Sequence, residues 1–190
     1  KLDMTLLNDD ALYQRGADTL VASWTEYSRA ATGASVHRLS GVAAAVFPHG
    51  VERSVYNNAL LARHLNRGER ADALDAMATT YAAAAVSHYA AWVHESDRAM
   101  RSDPTRRGYT LDSSTRAMGM ALAGIRKPRP DIDLVPPVWT EHLRIGDLPA
   151  DLLRGGDRLA FHVRVARADG QDVATAIALD HDTDCGIFNV

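Results

Sequence analysis

The stretch on which the fold turns is Val173-Ala174-Thr175-Ala176-Ile177-Ala178-Leu179, then Asp180-His181-Asp182-Thr183-Asp184, then Cys185-Gly186-Ile187-Phe188-Asn189-Val190. Side chains alternate between the two faces of a strand, so Val173, Thr175, Ile177 and Leu179 share one face and alanines take the other. The segment just upstream alternates too. Leu159, Phe161, Val163 and Val165 lie on one side, with Arg158, His162 and Arg164 on the other. Asp169-Gly170 between the two runs is a strong hairpin signal, because a type I′ turn needs two positive φ angles. The acidic run from Asp180 to Asp184 reads as a hydrated turn, and a third strand opens at Cys185.

A second stretch answers to this one. Shifted by 131 positions, Val42-Ala43-Ala44-Ala45-Val46 falls on Val173-Ala174-Thr175-Ala176-Ile177, and Ser54-Val55-Tyr56-Asn57-Asn58-Ala59 falls on Cys185 through Val190. Shared element order on both sides of a proline-rich segment supports a duplication. The first copy continues for 64 residues beyond Asn58 to Leu122, and only Val190 follows Asn189. The expectation is a natural product that continues past Val190, with the second copy cut off midway.

Working outward, Tyr13, Ala17, Leu20, Val21, Trp24, Tyr27 and Ala31 recur at helical spacing after Asp9 or Asp10 as a cap, and Gly33 ends the helix. Strands are expected at Val42 to Phe47 and Ser54 to Leu61, around the turn Pro48-His49-Gly50. Ala71, Leu74, Met77, Ala78, Tyr81 and Ala85 form a second helical stripe. His88 to His94 alternates like a strand. Ser96 or Asp97 caps a short helix to about Arg107, with Pro104 near a turn of it or breaking it, and Tyr109 to Leu122 reads as a long strand. Four of the seven prolines fall in Ala123 to Val138, read as a linker with one short strand, Ile132 to Val135. Val138 to Leu153 is expected to hold one or two short helices. The domain reading is therefore 1–122, a linker at 123–138, and the start of a second module at 139–190, in an α/β fold with a mixed sheet.

Composition narrows the function. The 190 residues are 46% hydrophobic and 24% charged, with a formal net charge of -3 and a pI near 6.2. That is a globular profile without the positive field that nucleic acid or anionic lipid requires. The basic residues are 19 Arg against 2 Lys, which reflects a GC-rich coding bias. One cysteine, Cys185, excludes an intrachain disulfide and a Cys-rich zinc site and suits a reducing cytoplasm. The start, Lys1-Leu2-Asp3-Met4, shows no charged region followed by an apolar run, so no signal peptide is expected, and Tyr81 to Val86, the longest apolar run, is too short to span a bilayer.

The run from Val173 to Val190 resembles the central strands of the GNAT-type N-acetyltransferases, in which such a strand leads directly into a pyrophosphate-binding loop. The first copy is similar to the same fold: Trp92-Val93-His94, a helix, then Arg107-Gly108-Tyr109-Thr110-Leu111-Asp112 resemble the family's later strand, helix and strand entry. The resemblance implies a tandem protein with one complete, degenerate module and the first half of a catalytic one. It also implies acetyl transfer from acetyl-CoA, as cosubstrate, to a small-molecule or peptide amine. In that chemistry the amine attacks the thioester, a carboxylate or ordered water takes the proton, and a backbone N–H polarises the carbonyl. Phe188, Asn189 and Val190 are the positions matched to the strand that pairs with the pantetheine arm. Asp180, Asp182 and Asp184 are near the place of the family's general base.

The family's phosphate loop, [R/Q]-x-x-G-x-[G/A], works because close N–H groups and a helix dipole bind phosphate oxygens. Its counterpart here, Arg63-His64-Leu65-Asn66-Arg67-Gly68-Glu69-Arg70-Ala71, has one glycine and puts Glu69 where those oxygens would lie. Arg63, Arg67 and Arg70 can still hold an anion, but a solvated charged helix start is the plainer reading. Eight histidines show no metal-ligand spacing; His49, His64, His142 and His181 are placed in loops or on helix surfaces. Cys185 reads as a strand cysteine rather than a nucleophile. The buried pair Asn57-Asn58 needs partners, from a ligand, a bulge or the neighbouring backbone. The alternative to an enzyme is a non-catalytic binding or assembly module, a homo-oligomer joined through the open C-terminal strand.

Overall fold

The computed structural model describes residues 8–29, 31–49, 56–120, 133–135, 139–145 and 160–188. The chain is mixed α/β, with four helices and two four-stranded sheets among the described residues. It divides into two compact units. Trp24–Thr115 forms a continuous unit; Lys1–Ser23 and Arg116–Val190 form a split one.

The division falls inside α1 (Asp9–Arg29). Its cap is Asn8, one residue before the expected aspartates: Asn8 Oδ1 accepts the N–H of Ala11 at 2.8 Å. Asp9 and Asp10 instead occupy the first turn, where negative charge complements the helix dipole. Val21, Trp24 and Tyr27, from the apolar stripe, are buried.

In the continuous unit the strands are β1 (Ser35–Leu39), β2 (Val42–Val46), β3 (Asn58–Leu61) and β4 (Ala90–Trp92), in that spatial order. β1–β2 and β2–β3 are antiparallel, and β3–β4 is parallel. A parallel neighbour requires a crossover, here α2 (Arg67–Ala83). Alanines at Ala44, Ala59 and Ala73, all fully buried, let α2 approach β2 and β3. Val42, Val46, Leu61, Leu74, Met77, Tyr81 and Met100 fill the remaining core. α3 (Arg98–Arg106) is capped by Asp97, whose side chain accepts the N–H of Met100 at 2.9 Å. Pro104 sits in its last turn, where one lost backbone bond is cheapest. Its carbonyl takes the N–H of Arg107 at 2.8 Å.

Several expectations are corrected here. β1 is additional: the turn Ser40-Gly41, with φ +77° at Gly41, folds it onto β2. The second strand of the first hairpin is only Asn58–Leu61, with 50–55 outside the described residues. The strand expected over His88 to His94 shortens to Ala90–Trp92. The long strand expected from Tyr109 to Leu122 is absent from 109–120, and 121–122 lie outside the described residues. Alternation makes a strand only against a partner edge. This segment has none among the described residues, and Leu111, Met118 and Met120 stand exposed.

In the split unit β5 (Asp133–Val135), α4 (Trp139–Ile145), β6 (Phe161–Ala168), β7 (Gln171–His181) and β8 (Asp184–Phe188) build an antiparallel sheet of order β5-β6-β7-β8. Asp169 and Gly170, at φ +50° and +77°, make the expected hairpin turn. Phe161, Val163, Val165, Thr175, Ile177 and Leu179 face a core closed by Leu143 and His142 of α4. The acidic run is not a five-residue turn. Asp180 and His181 end β7, Asp184 begins β8, and only Asp182 and Thr183 lie between. The strand anticipated within the proline-rich segment is β5; the remainder of that linker and 146–153 lie outside the described residues.

No observed pair of the β2–β3 ladder falls on an observed pair of β7–β8 under the shift of 131, and the two agree only when the first ladder is extended past its last pair, Ala44–Ala59. Extending the β2–β3 ladder, which pairs Val42 with Leu61, sets Val46 opposite Asn57. Adding 131 to both gives Ile177 and Phe188, a pair observed in β7–β8.

Candidate functional site

β3 and β8 follow β2 and β7 in their hairpins and differ in their edges; shifted back by 131, β8 covers 53–57, just before β3 (Asn58–Leu61). β8 pairs with β7 alone among the described residues, so its outer row of N–H and C=O groups is open. Phe188, the first of the three residues matched to the cofactor strand, closes β8 opposite Ile177 and is half-buried. Asn189 and Val190 lie outside the described residues. Two contacts from α1 hold this strand. Arg15 Nε donates to Asp184 Oδ2 at 2.8 Å, its Nη2 meets Asp184 Oδ1, and Nη2 also reaches Thr183 Oγ1 at 3.2 Å. A Cβ at Gly186 would lie 2.5 Å from both Thr19 Cγ2 and Phe188 Cζ, so any side chain there forces one of them to move.

The other face of the same sheet carries a polar cluster. His162 Nε2 and Asp180 Oδ2 are 2.9 Å apart, and Asp180 pairs across the ladder with Cys185. The hydrogen bond from His162, with a second from the Cys185 thiol, holds the Asp180 carboxyl below the usual carboxylate range. Desolvation, and then Asp180 itself, push the Cys185 thiol up. A thiol kept protonated is a poor nucleophile, so Cys185 is not an activated cysteine. Ile187 projects from this face with 67% of its surface exposed. Of the three candidate bases, Asp184 is committed to Arg15, Asp180 to His162 and Cys185, and Asp182 stands exposed in the turn.

β3 has no such edge. It is flanked by β2 and, over Asn58, Ala59 and Leu60, by β4. The buried amides find protein partners. Asn57 Oδ1 accepts the N–H of Phe47 at 2.7 Å while Nδ2 donates to its carbonyl, so the side chain continues the ladder in place of a backbone. Asn58 Oδ1 accepts the Trp92 indole N–H at 2.8 Å and ties β3 to β4.

The loop after β3 is filled by its own residues. Asn66 caps α2 by accepting the N–H of Glu69 at 3.0 Å, and Glu69 Oε2 accepts the N–H of Asn66 at 2.8 Å. This reciprocal box consumes amides that a phosphate loop would offer. Arg70 is bound to Asp103 at 2.6 Å and to the Leu65 carbonyl at 2.9 Å, and Arg63 reaches Ser96. Glu69 thus stands at the phosphate position as a cap.

His142 was missed as a core residue. It is fully buried, not on a helix surface. Its Nδ1 is 2.8 Å from Thr175 Oγ1, and Trp139 lies edge-on to it. The signal was its i, i+3, i+4 spacing in Trp139, His142 and Leu143. Among the described residues, no three His, Cys, Asp or Glu side chains converge as metal ligands, and no helix is long and apolar enough to cross a membrane. No family model, curated protein or solved structure matches the chain.

Proposed function

We propose that the chain is a GNAT-type N-acetyltransferase of tandem build, moving an acetyl group from acetyl-CoA to an amine in the cytoplasm. The feature that carries the reading is the sequence repeat at a shift of 131 across two hairpins, the second strand flanked by β4 in one unit and, among the described residues, paired with β7 alone in the other. The helix–strands–helix–strand–helix order of the continuous unit supports it. So does the descent of β3 through a short loop into a helix start, the place of the phosphate loop in the family. In this reading the continuous unit is a structural module, since β3 has no edge for a pantetheine arm and Asn66 and Glu69 cap the loop. β8 is the cofactor strand. Phe188, Asn189 and Val190 pair through their backbone with the arm, which places the thioester at the strand's end for direct attack by the amine.

Calorimetry with acetyl-CoA, together with thiol release over a panel of amines, tests this on the chain and on any longer product of its coding sequence. Binding with amine-dependent thiol release is the expected result. A longer product that neither binds acetyl-CoA nor releases thiol sinks the proposal. The edge of β8, unpaired among the described residues, favours one other reading, a non-catalytic module that pairs with a second chain there. A strict monomer in ultracentrifugation, with no ligand, counts against it.

A further inference from the structure

Independently of the acyl-transfer reading, we infer that the continuous unit binds a phosphate-bearing small molecule in the cleft between α2 and α3. The cleft, about 200 Å³, is lined by Arg67, Ala71, Leu74, Asp103, Arg106 and Arg107. Three arginines thus line a space that holds one acidic residue. Its carboxylate is already spent: one Asp103 oxygen accepts from Arg70 at 2.6 Å and the other meets Arg106. The Arg70–Asp103 pair is largely sheltered, at 15% and 14% side-chain exposure, so it forms a fixed wall between the helices. The Arg70 guanidinium holds the Asp103 carboxyl below its ordinary range, so the wall stays charged.

The other cations are loosely held. Arg67, in the first turn of α2, has no carboxylate partner among the described residues. Arg106 reaches Asp103 and Ser102 Oγ from a side chain that is 66% exposed, and Arg107, 33% exposed, pairs with Asp75, itself 70% exposed, and donates to the Ala71 carbonyl at 3.3 Å. Exposed ion pairs of this kind contribute little and exchange readily. A dianion offering several oxygens can replace them with bidentate, charge-assisted bonds from planar guanidinium forks. The helix amides are not needed, since the Asn66–Glu69 box occupies them. Ala71 and buried Leu74 form an apolar floor, which suits a phosphate carried on an organic body.

The test is calorimetry of the intact chain at low salt with two probes, inorganic phosphate and adenosine monophosphate. It compares the parent with Arg67→Ala, Arg106→Ala and Arg98→Ala, the last at the opposite end of α3. Circular dichroism and melting show that each variant is folded. The expected result is saturable binding that falls about tenfold or more in Arg67→Ala and Arg106→Ala and is unchanged in Arg98→Ala. Tighter binding of the nucleotide identifies an organic phosphate as the ligand; equal binding identifies free phosphate. Either supports the site. No saturable binding of either probe by the folded parent overturns it, as does an equal loss in Arg98→Ala, which would mark a diffuse field. No acyl donor enters the assay, so its failure leaves acetyl transfer untouched, and the reverse also holds.

Discussion

Replacing Asn66 by alanine removes one half of the capping box at the start of α2. The side-chain bond lost is the 3.0 Å contact from the Glu69 N–H. The reciprocal 2.8 Å bond from the Asn66 N–H to Glu69 survives in principle, because alanine keeps its backbone N–H. Both groups are exposed, so the orphaned donor turns to water and no buried-donor penalty is added. The cost therefore lies near the middle of the usual range for an N-cap, about 1 kcal/mol. For a domain the size of the continuous unit this lowers Tm by about 4–8 °C. Asn66→Gly, which leaves the amides accessible to water, should cost only a few tenths of a kcal/mol. Differential scanning calorimetry measures both, and hydrogen exchange localises the effect, with faster exchange of the first-turn amides of α2. If Asn66→Ala melts with the parent and exchanges no faster at Glu69, the box is not holding the helix start. The argument that the loop is closed to phosphate then fails with it.

Other outcomes follow from buried geometry. Burial holds His142 below its ordinary pKa of 6.5, so it stays neutral in the fold while the unfolded chain takes up a proton. Its contribution is intact above about pH 6.5 and is lost as the pH falls towards the depressed value. Denaturant midpoints between pH 7.5 and 5 should show the split unit weakening in the parent and a flatter profile in His142→Leu, where Thr175 keeps its 3.1 Å bond to the Arg164 carbonyl. Identical slopes would refute this. Gly41→Ala forces φ +77° on a residue with a side chain and drives its Cβ to 2.8 Å from Leu65 Cδ1 and 2.9 Å from Ala73 Cβ. The left-handed conformation and the overpacking together cost about 2–4 kcal/mol, read as a lower urea midpoint at unchanged m.

What could be read beforehand follows physical lines. α1 and α2 were legible because one face of each meets the core and repeats at 3.6, as Leu74, Met77 and Tyr81 do. The β6–β7 hairpin was legible from strict alternation around Asp169-Gly170. β1 was missed because Ser35, Val36, His37, Arg38 and Leu39 have no clean alternation: the strand is held by its register with Val42–Val46, a non-local fact. The expected strand at Tyr109 failed for the converse reason, a pattern without a neighbouring edge. Asn57 and Asn58 were recognisable as buried amides in need of partners, but Phe47 and Trp92 lie 10 and 34 positions away in sequence, so the choice between ligand and protein had to await the fold. The arginine cleft was half visible. Arg67 and Arg70 could be noted along the chain, whereas Arg106 and Arg107 join them only when α3 packs on α2.

Under the proposed reading the repeat has to reach further than composition explains. In an alanine-rich chain, Val/Ala runs recur by chance and carry no register, because register is set by the turn and by which face is buried. Here a shift of 131 carries Ala44 and Val46 onto Thr175 and Ile177, buried in both units. The shift does not hold one strand earlier. Applied to Val36 and Ala45 it predicts Arg167 opposite Ala176, where Arg164 is found. The β6–β7 hairpin, which carries an irregularity between Ala166 and Arg167, has moved by three residues relative to β1–β2. Hairpin turns change length cheaply at a surface. A ladder bordering a functional edge does not, since a slip of one residue turns every side chain over. Under the proposed reading the outer hairpin has slipped by three residues, while the inward face of β2, at Ala44 and Val46, keeps its counterpart in β7 at Thr175 and Ile177.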